Sequence, residues 1–144
     1  IITEGKYTVL SNIISLEKEK QFIENFPKRG VWNVAEDLVT GKVIGFQVLE
    51  PFASYSKSFD HVGIIGTYLK SECRNKGIGK LLSKTTFKKS KEKGFEKILT
   101  YVLSDNIQAL HFYQKIGFVI IGTAKRQAKI NNKYRDETVI EKFL

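Results

Sequence analysis

The sequence predicts an α/β fold with a mixed, mostly antiparallel sheet, one central parallel strand pair and helices on both faces. Paired β-rich runs occur near both ends of the chain, at 31–49 and 118–143, and each pair indicates a hairpin. Between them, a buried strand at 61–69 is followed by a helix and a second strand, which indicates a right-handed crossover and a parallel pair. The length of 144 residues fits one domain, so we expect a single domain over residues 1–144.

The first half of the chain contains a short strand, a helix and a hairpin. Lys6–Leu10 is predicted as the first strand, and a helix begins at Ser15 and ends before Pro27. The hairpin joins Val31–Ala35 to Lys42–Leu49 through the turn Thr40–Gly41. The predicted apolar face of the helix consists of Leu16, Phe22, Ile23 and Phe26, and the Ser-rich stretch Phe52 to Asp60 is predicted as a loop at the surface or at an active-site mouth.

The second half begins with the apolar run His61 to Leu69, which is typical of a strand buried on both faces. A helix follows from Ile78 to Lys93, ends at Gly94, and precedes the strand Lys97–Leu103. We expect Ile78, Leu81, Leu82 and Thr85 to form the buried face of that helix. The remaining predictions are a helix capped by Ser104 or Asp105 that runs to Lys115 and ends at Gly117, and two strands, Phe118–Ile130 and Tyr134–Phe143, joined at Asn131-Asn132.

Composition narrows the functional classes. The net charge of +9 favours a polyanionic partner, which is a nucleic acid, an acidic protein or a phosphorylated cofactor. The single cysteine, Cys73, rules out an internal disulfide framework and fits a reducing compartment. With two histidines and no clustered carboxylates, the sequence does not predict a structural zinc site. No apolar run approaches the roughly 20 residues that span a bilayer, and the first residues do not resemble a signal peptide. We therefore expect a cytoplasmic protein that does not bind membranes.

An anion site is predicted where the central strand gives way to a helix, at Arg74-Asn75-Lys76-Gly77-Ile78-Gly79-Lys80. The first turn of a helix presents unpaired N–H groups and the positive end of the macrodipole, which together bind phosphate. Gly77 and Gly79 let phosphate oxygens approach the backbone, and Arg74 and Lys76 add charged donors. The spacing fits neither a nucleoside-triphosphate loop nor a dinucleotide fingerprint. A tight turn in which glycine serves geometry alone remains the alternative.

A second motif lies about thirty residues further on. The helix Asn106 to Lys115 is followed by Ile116-Gly117-Phe118. Together the two segments resemble the GNAT acetyltransferases, which carry Arg/Gln-x-x-Gly-x-Gly/Ala and then Asn-x-x-Ala-x-x-x-Tyr-x-x-x-Gly-Phe. Here the motifs are Arg74 to Gly79, and then Asn106, Ala109, Tyr113, Gly117 and Phe118. The strong match covers His61 to Phe118, and two motifs in the family's order and spacing make the signal specific.

The resemblance implies an N-acetyltransferase with a GNAT-like sheet and acetyl-CoA as its co-substrate. It assigns the cofactor pyrophosphate to Arg74–Gly79, with Lys80 as an additional phosphate contact, and the pantetheine arm to the backbone at Leu69. Asn106 would bond the pantetheine amides, and Tyr113, on the same helix face, would protonate the departing thiolate, since a phenol stays protonated at neutral pH. Two alternatives remain open, with Tyr113 as a core aromatic and Asn106 as a helix cap. The basic stripe Lys80, Lys84, Lys88 and Lys91 is either a solvated face or a contact for an acidic partner.

The sequence does not identify the acceptor. Candidate acceptors are primary amines: a protein N-terminus, an amino acid, a polyamine or another small amine. The central strand contains no carboxylate, which leaves Glu36, Glu50 and Asp60 in the hairpin and the loop that follows it. A non-catalytic CoA-binding or regulatory domain is the alternative function. A nucleic-acid-binding module would explain the charge, but no aromatic-basic motif supports it. A homodimer is left open.

Overall fold

The computed structural model describes residues 7–9 and 14–144. Within these ranges six strands form one sheet in the order β1-β2-β3-β4-β6-β5. Strands β3 and β4 are parallel and the other neighbours are antiparallel, which confirms the predicted mixed sheet. The elements are α1 (Leu16–Glu24), β1 (Val31–Asp37), β2 (Lys42–Pro51), β3 (Val62–Leu69), α2 (Ile78–Glu92), β4 (Lys97–Leu103), α3 (Ile107–Lys115), β5 (Val119–Ile130) and β6 (Lys133–Phe143), with single 3₁₀ turns at Lys57–Phe59 and Ser71–Cys73.

The backbone contacts divide the chain into two compact units. The first unit comprises residues 29–100 and 141–144, and the second comprises residues 101–140 and the described part of 1–28. The predicted anion loop belongs to the first unit, whereas Asn106 and Tyr113 belong to the second. The single domain over residues 1–144 stays a prediction.

The first unit is organised around strands β1 to β3 and the start of β4. Val31 pairs with Leu49 in the antiparallel β1–β2 hairpin, whose register shifts between Ala35 and Glu36. Strand β3 is buried in its first half, as its apolar run predicts, and pairs with both β2 and β4. The core residues Leu49, Ile65, Phe95 and Ile98 are almost fully buried, and α2 packs on β1 and β2.

The prediction for the buried face of α2 was wrong for Leu81 and Thr85. Leu81 is 67% exposed, and Thr85 is exposed as well. The buried residues of α2 are Gly79, Leu82, Ser83, Thr86 and Ser90.

Polar side chains on the hairpin explain the small and polar inner face of α2. The Asn33 amide on β1 donates to the Thr86 hydroxyl at 2.9 Å, and the Gln47 amide on β2 donates to the Ser83 hydroxyl at 3.0 Å. A buried amide needs partners, so the helix face opposite it must supply hydroxyl groups rather than aliphatic side chains. The hydrophobic periodicity of α2 does not predict its buried residues, because these depend on the polar side chains of the facing strands.

In the second unit, α1 begins as predicted, and its apolar side chains are not buried. The Ser15 side chain accepts from the Lys18 N–H and caps the helix. No residue of α1 is buried, and Phe22 is 44% exposed while it packs edge-on against Phe26. Of the predicted first strand, residues 7–9 are described and are not in a strand, and the rest lies outside the described residues.

The cap of α3 also differs from one prediction and agrees with another. Asn106 is the cap, and its side-chain oxygen accepts from the Ala109 N–H at 3.1 Å. The alternatives have other partners, because the Asp105 carboxylate pairs with Arg135 and the Ser104 hydroxyl lies 2.9 Å from that of Thr138. Gly117 ends the helix at φ 93°, and Asn131 and Asn132 form the predicted turn at φ 49° and 61°.

Candidate active site

The helix α2 begins without a side-chain cap. Gly77 is the N-cap residue in the left-handed region (φ 80°, ψ −7°), and Asn75 also has a positive φ of 60°. The first helical bond runs from the Leu81 N–H to the Gly77 carbonyl at 3.2 Å. The N–H groups of Ile78, Gly79 and Lys80 therefore have no acceptor within the helix. A Cβ added at Gly77 would meet no atom within 4 Å, so the approach to these donors is open.

The charge around this helix start suits an anion. The first turn of α2 contains no acidic residue, while Arg74 is half-buried and Lys76 and Lys80 are exposed. The carboxylate of Glu72 stays ionised, because hydrogen bonds from its own backbone N–H and from the Ser71 hydroxyl lower its pKa. The macrodipole adds about half a positive charge at the same place. The donors and charges fit a pyrophosphate.

The described pairing of β3 with β4 lies at the start of both strands. The β3–β4 register covers Val62–Lys97 to Ile64–Leu99, although β3 continues to Leu69. Immediately beyond the last pair, the Thr100 hydroxyl donates to the Ile65 carbonyl at 2.8 Å. A side chain of β4 thus bonds a backbone group of β3.

Leu69 is the last residue of β3. The Val62 carbonyl accepts from Phe52 and the Lys70 N–H donates to Ile44, so even-numbered residues of β3 direct their backbone groups towards β2. Because backbone groups alternate along a strand, those of Leu69 are directed away from β2.

In the second unit, Asn106 and Tyr113 lie on α3, two turns apart. Asn106 is 9% exposed, and an open recess at the helix start is lined by Tyr7, Asp105, Asn106, Ile107, Gln108 and Arg135. Tyr113 is 5% exposed, and its ring packs edge-on against Phe112 and Phe118 with centroid distances of 5.1 and 5.0 Å. The cap role of Asn106 is confirmed. Tyr113 has the packing of a core aromatic.

The carboxylates have different environments. Asp60 pairs with Arg29 at 3.3 Å, and the same guanidinium donates to the Asp60 backbone carbonyl at 2.6 Å. Glu50 is half-buried on β2, and burial raises its pKa. Glu137 on β6 is 9% exposed, and burial raises its pKa too. Sequence reasoning missed Glu137, because nothing in the run Asp136-Glu137-Thr138 distinguishes a buried acid from a surface acid.

Neither a metal site nor a membrane helix is found in residues 7–9 and 14–144. No group of three or more His, Cys, Asp or Glu side chains there could hold a metal ion. No helix in these ranges is long and apolar enough to cross a membrane.

The family model described as "Acetyltransferase (GNAT) domain" matches residues 3–139, nearly the whole sequence. The chain belongs to the GNAT acetyltransferases. This membership confirms the predicted family and, with it, an acetyl-CoA-dependent acyltransferase domain.

Two curated proteins illustrate the range of similarity. The uncharacterized N-acetyltransferase YdgE of Bacillus subtilis is 27% identical over 135 residues, which cover 88% of this GNAT chain and 80% of YdgE. The mycothiol acetyltransferase of Corynebacterium aurimucosum is 33% identical over 76 residues, which cover 53% of the chain and only 24% of that protein. The chain therefore spans about a quarter of the mycothiol enzyme.

Solved structures share the fold. A phosphinothricin acetyltransferase from Sinorhizobium meliloti, in complex with AcCoA, superposes with a TM-score of 0.89 at 20% identity, covering 99% of this chain and 77% of that one. A ribosomal-protein-alanine N-acetyltransferase from Brucella melitensis gives a TM-score of 0.84 at 24% identity, covering 95% and 83%. At these identities the similarity shows the fold alone.

Proposed function

We propose that this GNAT domain transfers the acetyl group of acetyl-CoA to a primary amine by direct attack. The observation that supports it most strongly is the start of α2, where an uncapped helix, a left-handed Gly77 and an acid-free first turn occur together. A turn that served geometry alone would not need the neighbouring Arg74 and Lys76 or a first turn without acids. Cytoplasmic location and a homodimer stay proposals.

The cofactor would lie along two parts of the first unit. The backbone N–H groups of Ile78, Gly79 and Lys80 would bond the pyrophosphate, with Asn75 and Gly77 shaping the loop and the side chains of Arg74, Lys76 and Lys80 adding charge. The backbone of Leu69, at the end of β3, would bond the pantetheine arm. Asn106 would contribute its amide group in addition to its role as a cap.

The transfer needs one proton removed from the acceptor and one delivered to the leaving group. The amine nitrogen bonds to the acetyl carbon, and the carbon–sulfur bond breaks. The Tyr113 hydroxyl would donate its proton to the departing thiolate. We propose that the amine proton leaves through water held near Glu50, Asp60 or His61, without a single strong base. Of these groups Asp60 is occupied by Arg29, whereas burial raises the pKa of Glu50 and makes it a better proton acceptor.

An amine-panel assay that follows free thiol release tests the function. Two structural neighbours are named for different acceptors, phosphinothricin and ribosomal-protein alanine, so the panel should contain phosphinothricin, amino acids, polyamines and Ala-initial peptides. We expect acetyl-CoA-dependent thiol release with at least one of these amines. CoA binding without any turnover would instead support the non-catalytic domain. Salt-sensitive nucleic-acid binding without CoA affinity would refute both.

A further inference from the structure

A chain of hydrogen bonds connects the interior of the sheet to the first turn of α2. Gln47 on β2 is fully buried, and its Nε2 donates to the Thr67 hydroxyl on β3 at 2.8 Å and to the Ser83 hydroxyl on α2 at 3.0 Å. The Ser83 hydroxyl donates in turn to the Gly79 carbonyl at 2.8 Å. All four residues belong to the first unit.

The direction of this chain is fixed by the donors available. A serine hydroxyl has one hydrogen, and here the Gly79 carbonyl accepts it. Ser83 must therefore accept from Gln47, which fixes the side-chain amide with its nitrogen towards the helix. The Gln47 Oε1 atom has no hydrogen-bond partner, which is uncommon for a fully buried acceptor. The Gln47 side chain is thus held in place by the two hydrogen bonds that its nitrogen donates.

The end of the chain is the peptide group that contains the Gly79 carbonyl and the Lys80 N–H. Lys80 is the third residue of α2, and its N–H is one of the three that lack an acceptor within the helix. A carbonyl that accepts a hydrogen bond polarises its own amide, so the N–H on the other side becomes a stronger donor. The same bond also fixes the plane of that peptide.

We propose that Gln47 and Ser83 are positioning residues that orient and polarise the Lys80 peptide group for the cofactor pyrophosphate. Neither residue touches the cofactor in this scheme. The inference rests on the proposed phosphate site. It adds that a buried chain of hydrogen bonds strengthens one donor of that site, the Lys80 N–H. It also gives a reason for the polar inner face of α2, at least in its first half.

The same helix provides a matched control. One turn further on, the Thr86 hydroxyl accepts from the buried Asn33 amide at 2.9 Å, as Ser83 accepts from Gln47. Both Ser83 and Thr86 are almost fully buried. Thr86, however, has no bond to the carbonyls of the first turn among the hydrogen bonds of the described residues. Thr86→Val and Ser83→Ala therefore remove equivalent helix–sheet bonds, and only Ser83→Ala interrupts the chain to Gly79.

The experiment compares two ligands that differ in the pyrophosphate. The dissociation constant of CoA is measured by calorimetry, and that of S-acetylpantetheine, which lacks the pyrophosphate, by amide chemical-shift titration. We expect Ser83→Ala to weaken CoA binding roughly three- to tenfold and to leave S-acetylpantetheine unchanged. Gln47→Leu should give a smaller loss of the same kind, because the Ser83 hydroxyl can still donate to Gly79. Thr86→Val should change neither constant.

The outcomes separate this inference from the phosphate site itself. If wild-type protein binds CoA no more tightly than S-acetylpantetheine, the phosphate site is wrong and the inference fails with it. If wild-type protein prefers CoA and both Ser83→Ala and Gln47→Leu keep that preference in full, the site stands and the positioning role is refuted. An equal loss in Ser83→Ala and Thr86→Val would show general helix packing and would also refute it.

Discussion

Gly77 and Gly94 form a pair of sites at which strain and cofactor binding can be separated. Both have φ +80°, and a Cβ added at either would meet nothing within 4 Å. Gly77 caps the start of α2, and Gly94 follows its end, where its N–H donates to the Lys91 carbonyl at 2.9 Å. An alanine in this left-handed conformation costs roughly 1–2 kcal/mol, so Gly77→Ala and Gly94→Ala should lower the Tm by similar amounts, about 4–8 °C.

Their effects on CoA should differ. At Gly77 we expect the new methyl group to crowd the phosphate oxygens that bind the N–H groups of the first turn. Losing one charge-assisted hydrogen bond costs about 1.5–3 kcal/mol, which corresponds to roughly a 10- to 150-fold weaker affinity. Gly94→Ala, at the other end of the helix, should bind CoA as the wild type does. Gly79→Glu would be a poorer test, because Gly79 is buried and the substitution would threaten the fold.

Thermal denaturation and calorimetric titration of the two variants distinguish loss of the phosphate site from destabilisation of the helix. Equal Tm losses combined with a selective loss of CoA affinity in Gly77→Ala are expected. Gly77→Ala with wild-type affinity would mean that the pyrophosphate does not bind at the start of α2. Equal affinity losses in both variants would mean that the loss follows from helix destabilisation alone.

Three further predictions concern single side chains. Tyr113→Phe should lower kcat by about 10²-fold or more with little change in the CoA dissociation constant, and wild-type kcat would return Tyr113 to a packing role. Asn106→Ala should destabilise the protein by about 1 kcal/mol through loss of the α3 cap, whereas Asn106→Asp should not, as thermal denaturation would show. Glu50→Gln should lower kcat/KM less than tenfold, and a loss of several hundredfold would identify a dedicated base. Because burial raises the pKa of Glu50, its ionised form disfavours the folded state. Glu50→Gln should therefore raise the Tm at pH 7, and this advantage should disappear as the pH falls through the raised pKa towards the ordinary Glu pKa of about 4.3.

The turns and the helix ends could be predicted because their signals are local. Gly41, Gly94 and Gly117 all have positive φ, and the chain turns or a helix ends at each of them. Asn131-Asn132 likewise places two residues with positive φ between strands of alternating pattern. Few residue types adopt a positive φ readily, so a Gly or Asn at such a position predicts the backbone conformation.

Contacts between elements could not be predicted in the same way. The hydroxyl-rich inner face of α2 follows from Asn33 and Gln47, which are distant in sequence and read as ordinary strand residues. The burial of Glu137 depends on what covers β6, and no local pattern encodes that. The sequence offered Ser104, Asp105 and Asn106 as caps of α3. In the structure Asp105 pairs with Arg135 and Ser104 bonds Thr138, which leaves Asn106 as the cap.

The start of α2 departs from the local rules that favour a helix. A stable helix start has a side-chain cap and acidic residues in its first turn, yet here Gly77 offers no side chain and Lys80 puts a positive charge at the positive end of the dipole. The stripe continues with Lys84 and Lys88, whose like charges repel at i,i+4 spacing. Sequences break such rules mainly at functional sites. A bound pyrophosphate would reverse each departure, because it accepts the uncapped N–H groups, opposes the dipole and neutralises the nearest lysines.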